Sequence, residues 1–315
     1  MKAIVYTRYG SPDVLEVTEI PTPSPKDGEV LVKIHAVSLN ASDYEVLRGK
    51  PLYARIGGLL RPGKRVLGSD IAGRVVAVGP NVTRFKPGDD VFADALDTLG
   101  GFAEFSCVPE KVLEPIPSGL THEQAAALPQ AGAIAWQGIV ARGEVKAGQR
   151  VLINGAGGGS GMYAIQLAKL RGAEVTGVDN AEKLEFMRSL GADHVVDYRR
   201  EDYTRTGKTY DLVLDVQAFR GAGAYKRALA PGGRYFYVGG SVTTLFRVLL
   251  FGGKQIRLLA VKLGAKHLGP LVELCQEGKV SIIIDRRYSL DEVPQALAYL
   301  GNGHAKGKVI IAISD

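Results

Sequence analysis

The stretch that decides the fold is Val151-Leu152-Ile153-Asn154, then Gly155-Ala156-Gly157-Gly158-Gly159-Ser160-Gly161, then a run from Met162 to Leu170, then Glu174-Val175-Thr176-Gly177-Val178-Asp179. A short β-branched run leads into a glycine-dense turn, an amphipathic helix and a second short strand that ends in an acid. The turn requires glycine because the backbone bends tightly there and because a Cβ would obstruct the close approach of a pyrophosphate. This order of elements predicts a βαβ unit that binds a dinucleotide.

The glycine pattern of this turn is incomplete. In Ala156-x-Gly158-x-x-Gly161 the first glycine is replaced by alanine, and Gly159-x-Gly161-x-x-Ala164 begins too late after the strand. The prediction therefore depends on the preceding strand, the following helix and the strand that ends in an acid. A merely flexible glycine loop is the alternative.

Short apolar runs alternate with helical patterns from residue 121 to residue 261. Thr121-His122-Glu123-Gln124 has the sequence of a helix start, because the threonine hydroxyl can accept an orphan amide hydrogen bond. Such alternation predicts an α/β domain with a parallel sheet covered on both faces. The predicted strands are Val151–Asn154, Val175–Val178, His194–Asp197, Leu212–Val216, Tyr235–Val238 and Arg257–Val261, and the predicted helices span 161–171, 181–190 and 221–229.

The regions on either side have other patterns. Residues 1–120 contain β-type runs broken by Pro and Gly, with one brief helix at 42–48, which predicts a partly open barrel. The last 50 residues have two helical patterns and a closing strand, and without a glycine turn of their own we expect them to complete the first domain. The predicted elements are strands Lys2–Tyr6, Gly28–Val37, Asp70–Val78, Asp90–Ala93 and Gly307–Ile311, and helices Leu268–Glu277 and Leu290–Leu300.

Composition narrows the class of protein and its partners. The chain has 315 residues, 46% of them hydrophobic, and only two cysteines, so neither a disulfide framework nor a thiolate metal cage is expected. The first residues read as a strand, and no apolar run reaches the roughly 18 residues of a membrane span, so we expect a cytoplasmic protein. The net charge of +6 comes from basic residues that are interspersed with acids, and no aromatic stacking motif supports nucleic-acid binding. Two segments, 59–65 and 245–251, are apolar and basic, so weak contact with a membrane surface is kept as an alternative.

Two residues after the turn give conflicting indications of the cofactor. Asp179 lies about 20 residues beyond the turn, where an acid usually binds the ribose hydroxyls of NAD. Lys183 follows one helical turn later and can pair with the 2′-phosphate of NADP, unless it is only a solvated helix residue.

Several motifs together resemble the medium-chain dehydrogenase/reductase superfamily, and its nearest branch is the zinc-free quinone oxidoreductases, which include the zeta-crystallin-like proteins. The resemblance covers nearly the whole chain and implies a Rossmann doubly wound parallel sheet at 122–264 and a GroES-like partly open β-barrel at 1–121 and 265–315. The motifs are Asn40-Ala41-Ser42-Asp43, Gly68-Ser69-Asp70-Ile71-Ala72-Gly73-Arg74-Val75, Phe85-Lys86-Pro87-Gly88-Asp89-Asp90-Val91, Ala156-Gly157-Gly158-Gly159-Ser160-Gly161, Leu190-Gly191-Ala192-Asp193 and Gly307-Lys308-Val309-Ile310.

The resemblance also indicates where a metal would lie. The positions that hold cysteine, histidine and cysteine in zinc alcohol dehydrogenases are Asn40, Ser69 and Gln130, none of which supplies a thiolate or an imidazole. The five histidines show no metal-ligand spacing. No metal is therefore expected.

The family pattern implies NADPH as the cofactor. Lys183 and Tyr198 match positions that flank the 2′-phosphate, whereas Asp179 departs from the small neutral residue usual there and leaves NADH as an alternative. Ile134 is a second departure, since a threonine that contacts the cofactor is usual. The expected binding residues are Ala156, Gly157, Gly158, Gly159, Ser160, Gly161, Asp179, Asn180, Lys183, Tyr198 and Val238-Gly239-Gly240, the last three toward the carboxamide.

The reaction expected from the resemblance is direct hydride transfer to a quinone or to the β-carbon of an α,β-unsaturated carbonyl compound. Asn40 is the candidate polar group beside the nicotinamide, although it can equally satisfy a turn. The loop over 48–60 is predicted to close over a hydrophobic acceptor with Tyr53, Ile56 and Leu60, unless it is an ordinary surface loop. Tyr53 or Tyr44 is the candidate proton donor, and solvent is the alternative.

Two further expectations concern activity and assembly. A cofactor-binding protein without turnover, such as a redox sensor or a crystallin-like structural protein, would keep the same turn. Strands near Tyr235–Val238 and Arg257–Val261 are expected to form an edge that pairs two subunits into a homodimer, as the resemblance suggests.

Overall fold

The computed structural model describes residues 1–55, 58–262 and 264–313, and for residues 242, 245, 247, 249, 265 and 266 it describes the main chain alone. The strands, in chain order, are β1 Lys2–Val5, β2 Glu16–Glu19, β3 Glu29–Ser38, β4 Asp70–Val78, β5 Asp90–Asp94, β6 Phe105–Pro109, β7 Leu113–Pro115, β8 Arg150–Asn154, β9 Glu174–Asp179, β10 His194–Asp197, β11 Tyr210–Asp215, β12 Leu229–Tyr237, β13 Ile256–Leu258, β14 Ile284–Ser289 and β15 Lys308–Ala312.

The α-helices are mostly short, and several 3-10 turns connect the elements. The helices are α1 Ala41–Arg48, α2 His122–Ala126, α3 Pro129–Ala135, α4 Gly159–Leu170, α5 Leu184–Ser189, α6 Ala222–Arg227, α7 Val242–Phe251, α8 Gly269–Gln276 and α9 Val293–Gly301. A π-helical segment, Trp136–Ala141, follows α3. Within the described ranges, no helix is both long and apolar enough to cross a membrane.

The chain forms two compact units. The first contains residues 1–130, 263–277 and 284–315, and the second contains residues 131–262 and 278–283. Residues 122–130, which were predicted to belong to the dinucleotide-binding domain, lie in the first unit. The predicted domain limits themselves stay a prediction.

The second unit is built on a six-stranded parallel sheet in the order β10-β9-β8-β11-β12-β13. β8 lies inside the sheet, with Leu152 opposite Thr176 of β9 and Ile153 opposite Leu214 of β11. Val151, Leu152 and Ile153 are fully buried, as a strand covered on both faces requires. The parallel sheet predicted from the alternating pattern is confirmed, and it places the glycine turn at the carboxyl end of an inner strand.

The first unit contains a seven-stranded sheet and the separate ribbon β1-β2. Within the large sheet β3 pairs with three strands. Its first half pairs with β6, its last residues pair with β15, and β4 pairs along its other edge. All of these pairs are antiparallel, whereas β14 and β15 are parallel. The barrel side chains of β3, β4 and β5 and the apolar side of α9 form one buried core.

Some elements differ from the sequence expectations. The predicted helix 181–190 divides into the 3-10 turn Ala181–Lys183 and α5, and the predicted strand Arg257–Val261 shortens to Ile256–Leu258. β14 was not predicted because Asp285, Arg286 and Arg287 interrupt its apolar pattern, which suits an exposed edge strand. α7 includes residues 245–251, which the sequence indicated only as an apolar and basic surface segment and not as a helix.

Candidate cofactor and active site

The glycine turn is attached to both neighbouring strands. It begins where β8 ends, with Gly155 at a φ of +83°, a conformation that side chains rarely adopt. The N–H groups of Gly155 and Ala156 donate to the carbonyl of Val178 in β9, at 2.9 and 3.1 Å. Gly158 then precedes the first residue of α4. The turn is therefore an ordered connection, which argues against the flexible-loop alternative.

Glycine is required at different positions of the turn for different physical reasons. A Cβ on Gly161 would lie 2.4 Å from the backbone of Ala156, and a Cβ on Gly157 would lie 2.5 Å from Cδ of Lys183, so both positions are required by packing. A Cβ on Gly158 would meet only the carbonyl of Gly155, at 3.5 Å. Gly158, Gly159 and Ser160 are partly exposed at the start of the helix. Because the first N–H groups of a helix have no partner within it, this open cradle suits a phosphate.

The side chain of Asp179 is hydrogen-bonded to the backbone of the glycine turn. Its carboxylate accepts the N–H of Gly157 at 3.0 Å and that of Asn180 at 2.8 Å, and the ammonium of Lys183 lies 3.4 Å away. Both charged side chains are buried. The negative charge of Asp179, which departs from the neutral residue expected at this position, is thus offset by Lys183.

Tyr198 lies beside this pair at the end of β10. Its N–H donates to the carbonyl of Asp179 at 3.1 Å, and its side chain is 42% exposed. The guanidinium of Arg199 lies 5.8 Å from the centre of the Tyr198 ring. Arg199 was not singled out from the sequence, although the pair Arg199-Arg200 directly after Tyr198 is the signal that indicates an anion site.

The residues after β12 adopt backbone conformations that favour glycine. Gly239 and Gly240 have φ of +66° and +110°, and a Cβ on Gly240 would lie 2.8 Å from the carbonyl of Ala218. The N–H of Val238 is already used, since it donates to the carbonyl of Asp215 at 2.8 Å. Because this turn lies at the carboxyl end of a strand in the same sheet as the glycine turn, it is placed where open α/β sheets bind ligands.

A buried polar cluster occupies the first unit around Lys308. The ammonium of this residue donates to Oδ1 of Asn40 at 2.7 Å and to the carbonyl of Leu39 at 3.1 Å, and it lies 3.9 Å from Asp70. Asp43, in the first turn of helix α1, accepts the N–H of Asn40 at 2.9 Å. The cluster therefore fixes the position of Asn40 through both its backbone and its side chain.

The three positions that bear zinc ligands in zinc alcohol dehydrogenases lie in this cluster and are joined by hydrogen bonds. Gln130 Nε2 donates to Ser69 Oγ at 2.7 Å, and Asn40 Nδ2 donates to the same oxygen at 3.4 Å. The hydroxyl of Ser42 completes the network by donating to Gln130 Oε1 at 2.8 Å. The described residues contain no group of three or more His, Cys, Asp or Glu side chains arranged for a metal ion. The donor set offers neutral amide and hydroxyl groups where zinc prefers thiolate and imidazole.

Burial changes the proton affinities of the cluster. It raises the pKa of the Asp43 carboxyl to about 6 and the pKa of Asp94 to about 6. Burial and the nearby Asp94 raise the pKa of Asp70, whereas burial lowers the pKa of Lys308. Each of the three carboxyls also keeps one buried oxygen without a hydrogen-bond partner. The cluster thus holds more acidic groups than its single cation can neutralise.

Four charged members of this cluster were not predicted as site residues: Lys308, Asp43, Asp70 and Asp94. A signal for the lysine was present, because Lys308 opens the apolar run Val309-Ile310-Ile311, where a charged side chain needs a buried partner. Its partners were not predictable, since the acids lie more than 200 residues earlier in the chain.

The predicted catalytic residues have distinct surroundings. Asn40 is buried and both ends of its side-chain amide are hydrogen-bonded, so the structural role considered for it is present and its catalytic role stays a prediction.

The residues predicted to act on the acceptor lie in other surroundings. Tyr53 is half-buried in the 3-10 turn Leu52–Arg55. Tyr44 packs its ring against Gly301, where a Cβ would lie 2.3 Å from Cζ of Tyr44. Leu60 is 87% exposed, and Ile56 lies outside the described residues. Closure of this loop over an acceptor stays a prediction.

Two family descriptions match the chain. Residues 26–118 match the alcohol dehydrogenase GroES-like domain, and residues 190–311 match the zinc-binding dehydrogenase family. The predicted GroES-like domain is thereby confirmed in the first unit.

Individual relatives extend the match over the whole chain. A chloroplastic quinone-oxidoreductase of Triphysaria versicolor is 33% identical, over 99% of this chain and 98% of that protein. A chloroplastic NADPH-dependent alkenal/one oxidoreductase of Arabidopsis thaliana is 35% identical, over 99% of this chain and 79% of that protein. The structure of the quinone oxidoreductase from Coxiella burnetii superimposes with a TM-score of 0.87 at 30% identity, and the match covers 100% of this chain and 99% of that one.

Proposed function

The chain belongs to the quinone oxidoreductase branch of the medium-chain dehydrogenase/reductase superfamily, and we propose that it transfers a hydride from NADPH to a quinone or to an α,β-unsaturated carbonyl compound. The observation that carries the proposal is the ordered glycine turn, whose open position at Gly158 faces the start of α4. The chain's relatives include a quinone-oxidoreductase and an alkenal/one oxidoreductase, which supports both acceptor classes.

The second unit supplies the groups for the phosphates of the cofactor. In this proposal the turn from Ala156 to Gly161 binds the pyrophosphate through the backbone amides at the start of α4, because the N–H groups of Ala156 and Gly157 already donate to Val178 and Asp179. Lys183, Tyr198 and Arg199 bind the 2′-phosphate. Asn180 contributes by holding Asp179 in place through its N–H. Asp179 is directed at the turn and at Lys183, so it does not oppose a 2′-phosphate as an unpaired charge would. NADPH is therefore the proposed cofactor.

Bound NADPH supplies a hydride from C4 of the nicotinamide, and the protein supplies position and hydrogen bonds. Asn40, held by Lys308, is the proposed polar group of the catalytic site, with Tyr53 as the proposed proton donor and solvent as its alternative. The turn Val238-Gly239-Gly240 is proposed to orient the carboxamide. Because Asn40, Ser69 and Gln130 offer no thiolate or imidazole, we propose that the reaction is independent of zinc.

The activity is tested by mixing the protein with NADPH, adding an ortho-quinone or an enone, and following the absorbance of the reduced nicotinamide. Oxidation of NADPH that depends on the acceptor, and that persists after treatment with a zinc chelator, is the expected result. Measurable binding of NADPH without turnover on any acceptor of either class would contradict the proposal and favour the redox sensor or crystallin-like protein.

We propose further that the protein is a cytoplasmic homodimer. Among the described residues the edge strand β13 pairs only with β12, and Leu258 on it is 47% exposed. Phe246 of α7 is also exposed, at 61%. An unpaired strand edge beside exposed apolar side chains favours association with a second copy.

A further inference from the structure

The entire net charge of the chain lies in one segment. Residues 46–69 contain six Lys and Arg residues and no Asp or Glu. Removing these six from the 39 basic residues of the chain leaves 33, which equals the number of acidic residues. The view that basic residues are interspersed with acids throughout is therefore wrong for this segment. Net charge concentrated in this way creates a local positive field.

Exposed leucines lie among these charges. Leu52 is 62% exposed, Leu59 is 64% exposed and Leu60 is 87% exposed. Arg61, Lys64 and Arg65 are exposed as well. We call these six residues the leucine–arginine surface. Single exposed leucines are common, but adjacent leucines beside cations without any acid are a combination typical of proteins that bind lipid surfaces.

The loop that carries this surface is anchored at its base. Tyr9 Oη donates to the carbonyl of Gly58 at 2.6 Å, and the guanidinium of Arg55 donates to the carbonyls of Gly49 and Leu59 at 3.0 and 3.1 Å. That guanidinium also lies 4.9 Å from the centre of the Tyr9 ring. At the far end of the loop, the N–H of Tyr6 donates to the carbonyl of Arg65 at 3.0 Å. These bonds hold the chain on both sides of the leucines, while the leucine side chains stay exposed.

We propose that the leucine–arginine surface binds the surface of a bilayer that contains anionic phospholipid. The cations pair with phosphate headgroups, and the leucines enter the boundary between headgroups and acyl chains. A polyanion such as RNA matches the charge but offers no apolar layer for three leucines, so lipid is the partner that uses both features. Binding does not require catalysis, and the proposal therefore stands or falls independently of the reductase activity.

The test is co-sedimentation of the purified protein with vesicles of phosphatidylcholine alone or of phosphatidylcholine mixed with phosphatidylglycerol. We expect binding to the mixed vesicles, weaker binding as salt is added, and little binding to neutral vesicles. The variant R61Q/K64Q/R65Q is expected to bind about 100-fold more weakly, at roughly fivefold per basic residue. The variant L59S/L60S is expected to bind more weakly at unchanged charge.

Matched variants change the same features elsewhere on the surface. K26Q/K111Q/K208Q removes three exposed lysines, and V17S/L170S removes two exposed apolar side chains. Both are expected to bind mixed vesicles as the wild type does, and thermal unfolding confirms that every variant is folded. The proposal would be overturned if the protein did not bind mixed vesicles at low salt. It would also be overturned if the variants R61Q/K64Q/R65Q and K26Q/K111Q/K208Q lost equal amounts of vesicle affinity. Unchanged vesicle binding by L59S/L60S, together with equally tight binding of an oligonucleotide, would assign the surface to nucleic acid instead.

Discussion

At the scale of single residues, Lys183 is the group on which the proposed preference for NADPH rests. Its ammonium lies 3.4 Å from Asp179, its stem contacts Gly157, and it is buried beside the turn. This side chain therefore offsets a carboxylate, and in the proposed function it also pairs with the 2′-phosphate. Without it, the carboxylate would face that phosphate at close range.

The variant Lys183→Met is predicted to discriminate between the cofactors. We expect its dissociation constant for NADPH to rise by at least about tenfold, because a charge-assisted hydrogen bond is lost and Asp179 is left without its partner. The constant for NADH is expected to change less. Titration by intrinsic fluorescence measures both, with Lys208→Met, a change at an exposed lysine, as the control. Equal losses for the two cofactors would show that Lys183 serves only the shape of the turn.

Asp43 makes a prediction about pH. Burial raises the pKa of its carboxyl from the ordinary 3.8 to about 6, so between these pH values the folded state holds a proton that the unfolded state has released. The resulting stabilisation is complete below about pH 4 and is lost as the pH rises through about 6. Asp43→Asn is therefore expected to remove about 1–2 kcal/mol of the decline in unfolding free energy between about pH 5 and about pH 8.

Urea unfolding of wild type and Asp43→Asn at the two pH values measures this difference. The control is Asp13→Asn, a change at an exposed carboxyl that should leave the pH dependence unaltered. A variant whose stability follows the wild-type pH profile would show that the Asp43 carboxyl stays ionised in the folded protein.

At the scale of elements, the turn between β8 and α4 separates packing from binding. Gly161→Ala places a methyl group 2.4 Å from the backbone of Ala156, so we expect a loss of stability typical of overpacking, about 1–3 kcal/mol or more. Gly158→Ala meets nothing closer than 3.5 Å and has an ordinary φ of −92°. It should fold normally yet bind NADPH at least about tenfold more weakly, because the methyl group enters the phosphate cradle.

Thermal unfolding and NADPH titration of the two variants test this separation. Gly223→Ala, in α6 with open space around it, is the matched control: it should leave NADPH binding unchanged and should not lower stability, because alanine favours a helix more than glycine does. If Gly158→Ala binds NADPH with wild-type affinity, the pyrophosphate does not lie against this turn.

How far the sequence predicted these elements depended on whether the signal was local. The unit from β8 to β9 was predictable because the glycines, the β-branched residues and the terminal acid follow one another within 30 residues. β14 was not, because its polar edge residues become a strand only through pairing with β15. The cluster around Lys308 was equally out of reach, since no local pattern relates a lysine in the last strand to acids in the first hundred residues.

At the scale of the whole molecule, the prediction concerns assembly. If β13 is the edge between two subunits, Leu258→Glu places a charge in that contact and is expected to yield a monomer in light scattering. Val17→Glu, a similar change on the β1-β2 ribbon, is the control and should leave the dimer intact. A monomeric wild type, or a Leu258→Glu variant that remains dimeric, would contradict the proposal.

The position of β15 in the first unit also sets an order of events during synthesis on the ribosome. The chain must extend 238 residues beyond Asp70 before Lys308 is made, which takes about 10–50 s at typical translation rates. Throughout that interval the growing chain contains Asp43, Asp70 and Asp94 without the ammonium of Lys308. The last residues of β3 also lack β15, the strand with which they pair. The first unit to be translated is thus the last to be completed, and limited proteolysis of ribosome-bound chains stalled before and after residue 312 would reveal the moment of its closure.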